Sequence, residues 1–184
     1  MKFFAIVFAA LFLDGTLSAA RLPDPPDDYR QLSEVKPLPL APDPAFEFRK
    51  TKTLLLGGKA ETGHASGFFT GRAKDPAIGF ETAYRLHGAV TRLDQRDRMG
   101  NYFDFFWKAR RPADVTVRLE YRQEKLRSFT QAREVRYANV HGNTRTSFAV
   151  VGDDFYTDGR ILAWRCLLIV AGKIVAEERS YLWN

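Results

Sequence analysis

Four carboxylates offer the reaction chemistry that this sequence best supports. Glycoside hydrolysis uses two Asp or Glu side chains held roughly 5–9.5 Å apart, one of them as a general acid. The sequence does not select a pair, and charged residues on strands more often form ion pairs or solvated faces. A hydrolytic site is therefore the secondary hypothesis. Its candidates by position are Glu120, Asp153, Asp154 and Glu178.

Other catalytic and metal-binding chemistries find weaker support. In the stretch 63–67 (GHASG) the serine stands one position too late for the G-x-S-x-G nucleophile motif. The three histidines and the single cysteine, Cys166, lack the spacing of metal-ligand motifs. The aspartate-rich loop 152–159 has oxygen ligands for calcium, but Asp and Gly also dominate β-turns, which is the interpretation we favour. The sequence predicts no catalytic residue, no metal and no cofactor.

Arginines interleaved with aromatic residues indicate a binding surface. The chain carries a net charge of +6. Arginine pairs with carboxylate and phosphate groups and stacks on aromatic rings, so a partner with acidic groups fits this composition. The alternative is that the rings fill the core while arginine stems cover its rim. The predicted ligand-binding residues are Arg118, Tyr121, Arg122, Arg165 and Glu178.

Arg165 interrupts the segment 160–170, which is otherwise apolar. A buried charge is costly unless it is paired. If Gly172-Lys173 forms a two-residue type II′ loop, Ala171 lies opposite Ile174, and Arg165 lies diagonal to Glu178. The sequence therefore predicts an ion pair between Arg165 and Glu178, or between Arg165 and another carboxylate that serves the same need. A structural salt bridge is the favoured interpretation, and ligand contact is the alternative.

The first twenty residues have the layout of a secretory signal. Lys2 precedes an apolar run from Phe3 to Leu13, and the small residues Ser18-Ala19-Ala20 precede Arg21. Such a run is too short to span a bilayer, which needs roughly 20 residues. We predict cleavage after Ala20 and a secreted or periplasmic protein whose mature chain has no transmembrane segment.

The segment after the signal is rich in proline, which fixes extended backbone and removes hydrogen-bond donors. Residues 21–45 are predicted to form a flexible arm or linker, and residues 46–184 a single domain. Within residues 46–184, short runs of residues that favour β-strands alternate with Gly, Asp and Asn. The strand candidates are 52–57, 64–70, 80–93, 101–109, 114–124, 131–138, 144–152, 160–171 and 174–183.

This pattern predicts an all-β, two-sheet antiparallel sandwich, with a jelly roll or a small β-barrel as alternatives. Alternate residues of a strand face opposite sides of its sheet, which defines the residues that face inward. The predicted core comprises Phe103, Phe105, Trp107, Val115, Val117, Leu119, Phe148, Leu162, Trp164, Cys166 and Leu168.

Two tryptophans carry a resemblance at the level of the fold. Trp107 lies on an early central strand, and Trp164-Arg165-Cys166 lies on a late strand after the turn at Asp158-Gly159. This resembles the immunoglobulin-like sandwich, which has a tryptophan on its third strand and an aromatic residue two positions before its second cysteine. The first cysteine of that fold is absent here, so no disulfide is expected. The resemblance implies no functional residue.

Together these features favour an exported, non-catalytic module that binds a protein, an envelope component or an acidic glycan. The alternatives are a small glycan hydrolase with paired carboxylates and a structural subunit that pairs an exposed strand edge with a neighbour. The sequence contains no nucleic-acid-binding motif, and export makes nucleic acid an unexpected partner.

Overall fold

A computed structural model describes residues 29–57 and 76–183. Within these ranges six strands and three short helices form. The strands are β1 (Arg30–Leu32), β2 (Phe46–Leu56), β3 (Gly100–Gln123), β4 (Gln131–Val151), β5 (Ile161–Val170) and β6 (Lys173–Arg179). The helices are α1 (Pro76–Leu86), α2 (Arg92–Asp97) and α3 (Asp153–Asp158), with a 3₁₀ turn at Glu124–Leu126. The predicted signal at 1–20 and the predicted strand 64–70 lie outside the described residues.

A long hairpin of β3 and β4 organises the sheet. The strands pair antiparallel from Gly100–Val151 to Tyr121–Gln131, with register shifts between Ala109 and Val115. β2 pairs with the first half of β3, and β5 pairs with the second half. β1 pairs antiparallel with β4, and β6 pairs antiparallel with β5. Each of the predicted strand pairs 101–109/114–124 and 131–138/144–152 is therefore one continuous strand.

The core forms because the two halves of β3 face each other across it. Trp164 on β5 lies beside the second half, yet its ring centroid is 5.7 Å from that of Phe103 and 5.5 Å from that of Phe105, both on the first half. The irregular pairing around Pro112 permits the bend between the halves. The predicted all-β, sandwich-like fold is confirmed. Among the described residues its layers belong to one sheet, whereas an immunoglobulin-like sandwich has two.

Most of the predicted core is buried, but the prediction that Leu162 belongs to the core is wrong. Its side chain is 42% exposed, whereas the other predicted core residues are buried or, like Trp164, packed against the core. The register between β3 and β5 shifts at this point, since Arg122 pairs with Ala163 and Gln123 with Ile161. Leu162 is the extra residue of this bulge, which removes it from the strand alternation.

Two further predictions of local structure are corrected. The predicted strand 80–93 is helical, spanning most of α1 and the start of α2. Pro76 suits the first helical position. Thr91 and Asp94 exchange the reciprocal bonds of a capping box at the start of α2. The predicted turn at 152–159 contains α3, whose first turn carries Asp153 and Asp154 at the end that favours negative charge.

Part of the proline-rich segment packs on the sheet. Call the side facing the core the inner face and the opposite side the outer face. After β1, residues 33–43 form a strap across the outer face of the second half, where Leu38 packs on Leu167, Ile169 and Ile174. Leu40 then forms a parallel bridge with Ile174. The flexible arm predicted for 21–45 is therefore corrected over residues 29–45, because the leucine of this extended segment covers an apolar patch.

The hairpin between β5 and β6 turns at Ala171-Gly172, one residue earlier than predicted. Both residues have positive φ, +47° and +74°, which defines a type I′ turn in place of the predicted type II′ turn. Beyond the turn a register shift between Leu168 and Ile169 places Arg165 opposite Arg179 and Cys166 opposite Glu178. Ala171 thus occupies a backbone region that costs roughly 1–2 kcal/mol for an L-residue with a Cβ.

Replacing Ala171 with asparagine is expected to raise the free energy of unfolding by about 0.5–1 kcal/mol, because asparagine tolerates the left-handed region and Asn-Gly is the preferred type I′ pair. Urea denaturation measures the change. The matched control is Ala176→Asn on the adjoining strand, where we expect destabilisation because Ala176 packs against the core. Equal effects of the two substitutions would contradict the turn geometry.

Candidate functional site

Three of the predicted ligand-binding residues lie on the outer face of the second half of the sheet. Arg118 and Arg122 share this face of β3 with Glu120, since they alternate along the strand. Arg165 on β5 lies directly opposite Glu120. The structure therefore brings together the predicted arginines, and it adds a carboxylate that was considered only for hydrolysis.

A chain of ion pairs, here called the arginine network, joins four side chains in the order Arg165, Glu120, Arg118 and Glu134. Nε of Arg165 donates to Oε2 of Glu120 at 2.7 Å. Arg118 lies 2.7 Å from Glu134 and 3.6 Å from Glu120. The two carboxylates are buried, at 1% exposure for Glu120 and 6% for Glu134. Because a buried charge needs a close partner, the network has a strong structural role.

Arg165 forms the predicted ion pair, but its partner is Glu120, the other carboxylate that the prediction allowed, and not Glu178. Glu178 lies opposite Cys166, a core residue, and so on the other face of the sheet from Arg165. A register change of one residue moves a side chain to the other face of a sheet. The shift in the β5–β6 hairpin is thus the physical reason for the difference.

Tyr121 lies on the inner face and is fully buried. Burial raises the pKa of its hydroxyl above the usual value. Its nearest cation is Arg133, also on the inner face, whose guanidinium lies 5.9 Å from the Tyr121 ring and 4.6 Å from the Tyr29 ring. Arg133 donates to the Asp154 carboxylate and to the Ala149 carbonyl. The structure therefore separates Tyr121 from the outer-face arginines.

The carboxylates considered for hydrolysis contact different partners. Glu120 belongs to the arginine network, and Asp154 accepts a bond from Arg133. Asp153 accepts a bond from Arg96 at 2.9 Å, and Glu178 lies on the inner face. Within residues 29–57 and 76–183, no group of three or more His, Cys, Asp or Glu side chains is arranged to hold a metal ion.

A third buried carboxylate, Asp104, anchors α1 to the first half of the sheet, and sequence reasoning missed it. It accepts hydrogen bonds from Arg85 of α1 at 3.1 Å, from Arg145 at 2.8 Å and from Ser147 at 2.5 Å. The Arg85 guanidinium also lies 4.6 Å from the centre of the Tyr102 ring. The signal available in the sequence was an aspartate within an apolar strand, a residue that must find a partner.

A groove of about 570 Å³ opens beside the arginine network. One wall is the start of the strap, Ser33–Val35, and the other is the loop Leu126–Thr130. Nη1 of Arg118 donates to the carbonyl of Lys36, next to the first wall, at 3.4 Å. Nε of Arg122 donates to the hydroxyl of Thr130, in the second wall, at 3.3 Å. The two predicted arginines thus help to position the opposite walls of the groove.

The lining of the groove combines hydroxyl groups, charge and an aromatic ring. Ser33, Ser128 and Thr130 supply hydroxyls. Arg127 supplies an exposed cation and Glu34 an exposed carboxylate. Phe129 is 58% exposed. Arg127 has a φ of +54°, which is unusual for a residue with a Cβ. Such strained positions concentrate at functional sites. Sequence reasoning missed this site because its walls lie about 90 residues apart in the chain and meet only when the strap packs.

The C-terminal turn, residues 180–183, borders the same region. Trp183 lies over two arginines, with its ring centroid 4.5 Å from the Arg122 guanidinium and 5.1 Å from that of Arg165. A cation over an indole face is attracted by the ring quadrupole. Trp183 therefore covers the arginines on the side away from the strap.

Cys166 is a buried core residue, as the sequence predicted for a lone cysteine on an apolar strand. Burial raises the pKa of its thiol well above the usual value. The thiolate is the reactive form, so this cysteine is inert in the folded protein.

These contacts define an all-β antiparallel protein with a sandwich-like core and an open groove on its outer side. The chain matches no family model, and no curated protein matches it. A crystal structure from Akkermansia muciniphila is similar at 15% sequence identity, over 78% of this chain and 75% of that chain, with a TM-score of 0.37. In the part of the chain that the structure describes, none of the helices has the length and apolar character required to cross a membrane.

Proposed function

We propose that this chain is an exported, non-catalytic module that binds an acidic glycan in the groove between the strap and the loop Leu126–Thr130. The observation that carries the proposal is the lining of this groove. It places an exposed aromatic ring, several hydroxyls and an arginine around one open cavity. Sugars offer these groups matching surfaces, namely apolar ring faces, hydroxyls and, in acidic glycans, carboxylate or sulfate groups.

Each part of the lining has a distinct role in this proposal. The exposed face of Phe129 stacks on a sugar ring, because an aromatic side chain presents a flat apolar face. Arg127 pairs with an acidic substituent, since the guanidinium fork matches carboxylate geometry. Ser33 and Ser128 exchange hydrogen bonds with sugar hydroxyls. The net charge of +6 increases the rate of encounter with a polyanion.

The two rival functions have less support. Hydrolysis in this groove would need a pair of carboxylates, and among the described lining residues Glu34 is the single acidic side chain. A structural subunit would need an open strand edge for pairing with a neighbour. In the described part of the chain β1, β2 and β6 are edge strands. β1 has three residues, β2 carries a bulge between Phe48 and Lys50, and Leu40 bridges to Ile174 on β6. Bulges and edge lysines are features that discourage such pairing.

Isothermal titration with oligogalacturonate, a carboxylated glycan, tests the proposal. We expect saturable binding that weakens with salt and produces no new reducing ends. Arg127→Ala should weaken binding about tenfold, because it removes one charge-assisted hydrogen bond that contributes roughly 1.4 kcal/mol to binding.

The control for net charge is Lys173→Ala, which removes an exposed cation at the far end of β6 and should leave affinity within about twofold of wild type. Absence of binding to oligogalacturonate and to dextran sulfate would reject the proposal. Equal losses in the two variants would show attraction by net charge without a site.

A further inference from the structure

The C-terminal turn is held rigidly against the sheet. Ser180 donates its backbone N–H to the Trp164 carbonyl at 2.9 Å, and its hydroxyl accepts the Trp164 N–H at 3.0 Å. The Trp183 N–H returns to the Ser180 carbonyl at 3.1 Å. These bonds fix both ends of the turn, so the residues between them have a defined position.

The turn presents apolar surface to solvent on the groove side of the molecule. Tyr181 is 97% exposed and Leu182 is 62% exposed, whereas Trp183 is buried. Arg122 connects this turn to the groove, because it lies under the Trp183 ring and donates to Thr130 in the groove wall. Two exposed rings, Phe129 and Tyr181, therefore lie on either side of one arginine-lined region.

Exposed arginines in this region offer contacts to an acidic polymer, although Glu34 also lies in the groove wall. Arg127 borders the groove, and Arg179 precedes the turn and is exposed. Arg165 lies opposite Arg179 on the neighbouring strand, but its charge is paired with Glu120. A chain that carries repeated carboxylates and sugar faces would pass the exposed cations Arg127 and Arg179, with an exposed ring at each end.

Resting on the proposed function, we infer that the binding site extends from the groove across Arg122 to the C-terminal turn, with Tyr181 as a second stacking platform. The ligand class is then a polymeric acidic glycan, bound along several residues of its chain. Phe129 contacts every ligand, whereas Tyr181 contacts only ligands long enough to reach the turn.

The experiment compares oligogalacturonates of increasing length by titration. For the wild-type protein, affinity should rise about three- to tenfold once the chain is long enough to reach the second ring, the value of one aromatic stacking contact. Tyr181→Ala should abolish this rise and leave the affinity for the shortest bound oligomer unchanged. Phe129→Ala should weaken binding at every length. The matched control is Phe80→Ala on α1, where the ring is 73% exposed. It should change neither the affinity for short oligomers nor the rise of affinity with length.

The outcomes separate this inference from the proposed function. If no acidic oligomer binds, the proposed function fails. If short oligomers bind and Tyr181→Ala leaves the length dependence unchanged, the extended site alone is overturned. Vesicles of phosphatidylcholine with phosphatidylglycerol provide the third arm. Stronger binding to these vesicles than to any oligomer, lost in Tyr181→Ala, would assign the turn to a membrane surface and overturn the glycan inference.

Discussion

Replacing Glu120 with alanine is expected to lower the free energy of unfolding by about 3–5 kcal/mol, the usual cost of removing one partner from a buried ion pair. Glu120 is buried to 1% exposure and accepts the Arg165 Nε at 2.7 Å. Without it, Arg165 and Arg118 keep their positive charges in a partly desolvated site. The loss should appear as a lower urea midpoint with an unchanged slope.

The matched control is Glu178→Ala, which removes the same charge from the partner that the sequence suggested. Glu178 is half-exposed and lies on the opposite face of the sheet from Arg165, so its loss should cost no more than about 1 kcal/mol. Glu120→Gln should lie between the two, because the amide oxygen still accepts a hydrogen bond. If Glu178→Ala were the more damaging substitution, the register of the β5–β6 hairpin would be incorrect.

The second large effect is expected at Asp104. Asp104→Ala should lower the free energy of unfolding by about 3–5 kcal/mol, because it leaves Arg85 and Arg145 without their shared buried carboxylate. The loss should also release α1 from the sheet, since Arg85 is the α1 residue that reaches Asp104. Amide hydrogen exchange over Pro76–Leu86 should therefore accelerate more than exchange over β3.

The control for this substitution is Asp97→Ala. Asp97 has a side chain that is 60% exposed and lies 3.9 Å from Arg96, so its removal should change stability by less than about 0.5 kcal/mol. An equally small effect of Asp104→Ala would show that the helix is held by its apolar contacts, with Leu86 packing on the cluster around Leu56.

The β-sheet character of this chain was readable from local sequence. Alternation in β3 predicted that Val115, Val117 and Leu119 face inward while Arg118 and Arg122 face outward, and the structure agrees. The alternation works because successive side chains on a strand point to opposite sides. The same pattern identified the outer face as a charged surface before any partner was known.

Pairing between distant segments was not readable in the same way. The partner of Arg165 depends on a one-residue shift in a hairpin, and the helices at 76–97 replaced a strand prediction because capping and tertiary contacts outweighed weak local patterns. The proline content predicts a flexible arm where the strap packs, because proline content describes local stiffness and not the surface on which a segment packs.

By itself, the sequence determined a β-sheet protein with arginines on one face, because strand periodicity is a local property of the chain. The tertiary structure alone decided that Arg118 and Arg122 hold opposite walls of a groove, and that Glu120 is the carboxylate that neutralises Arg165. Both depend on register and on contacts between residues that lie far apart in the chain, and their energies arise only when the folded surfaces meet.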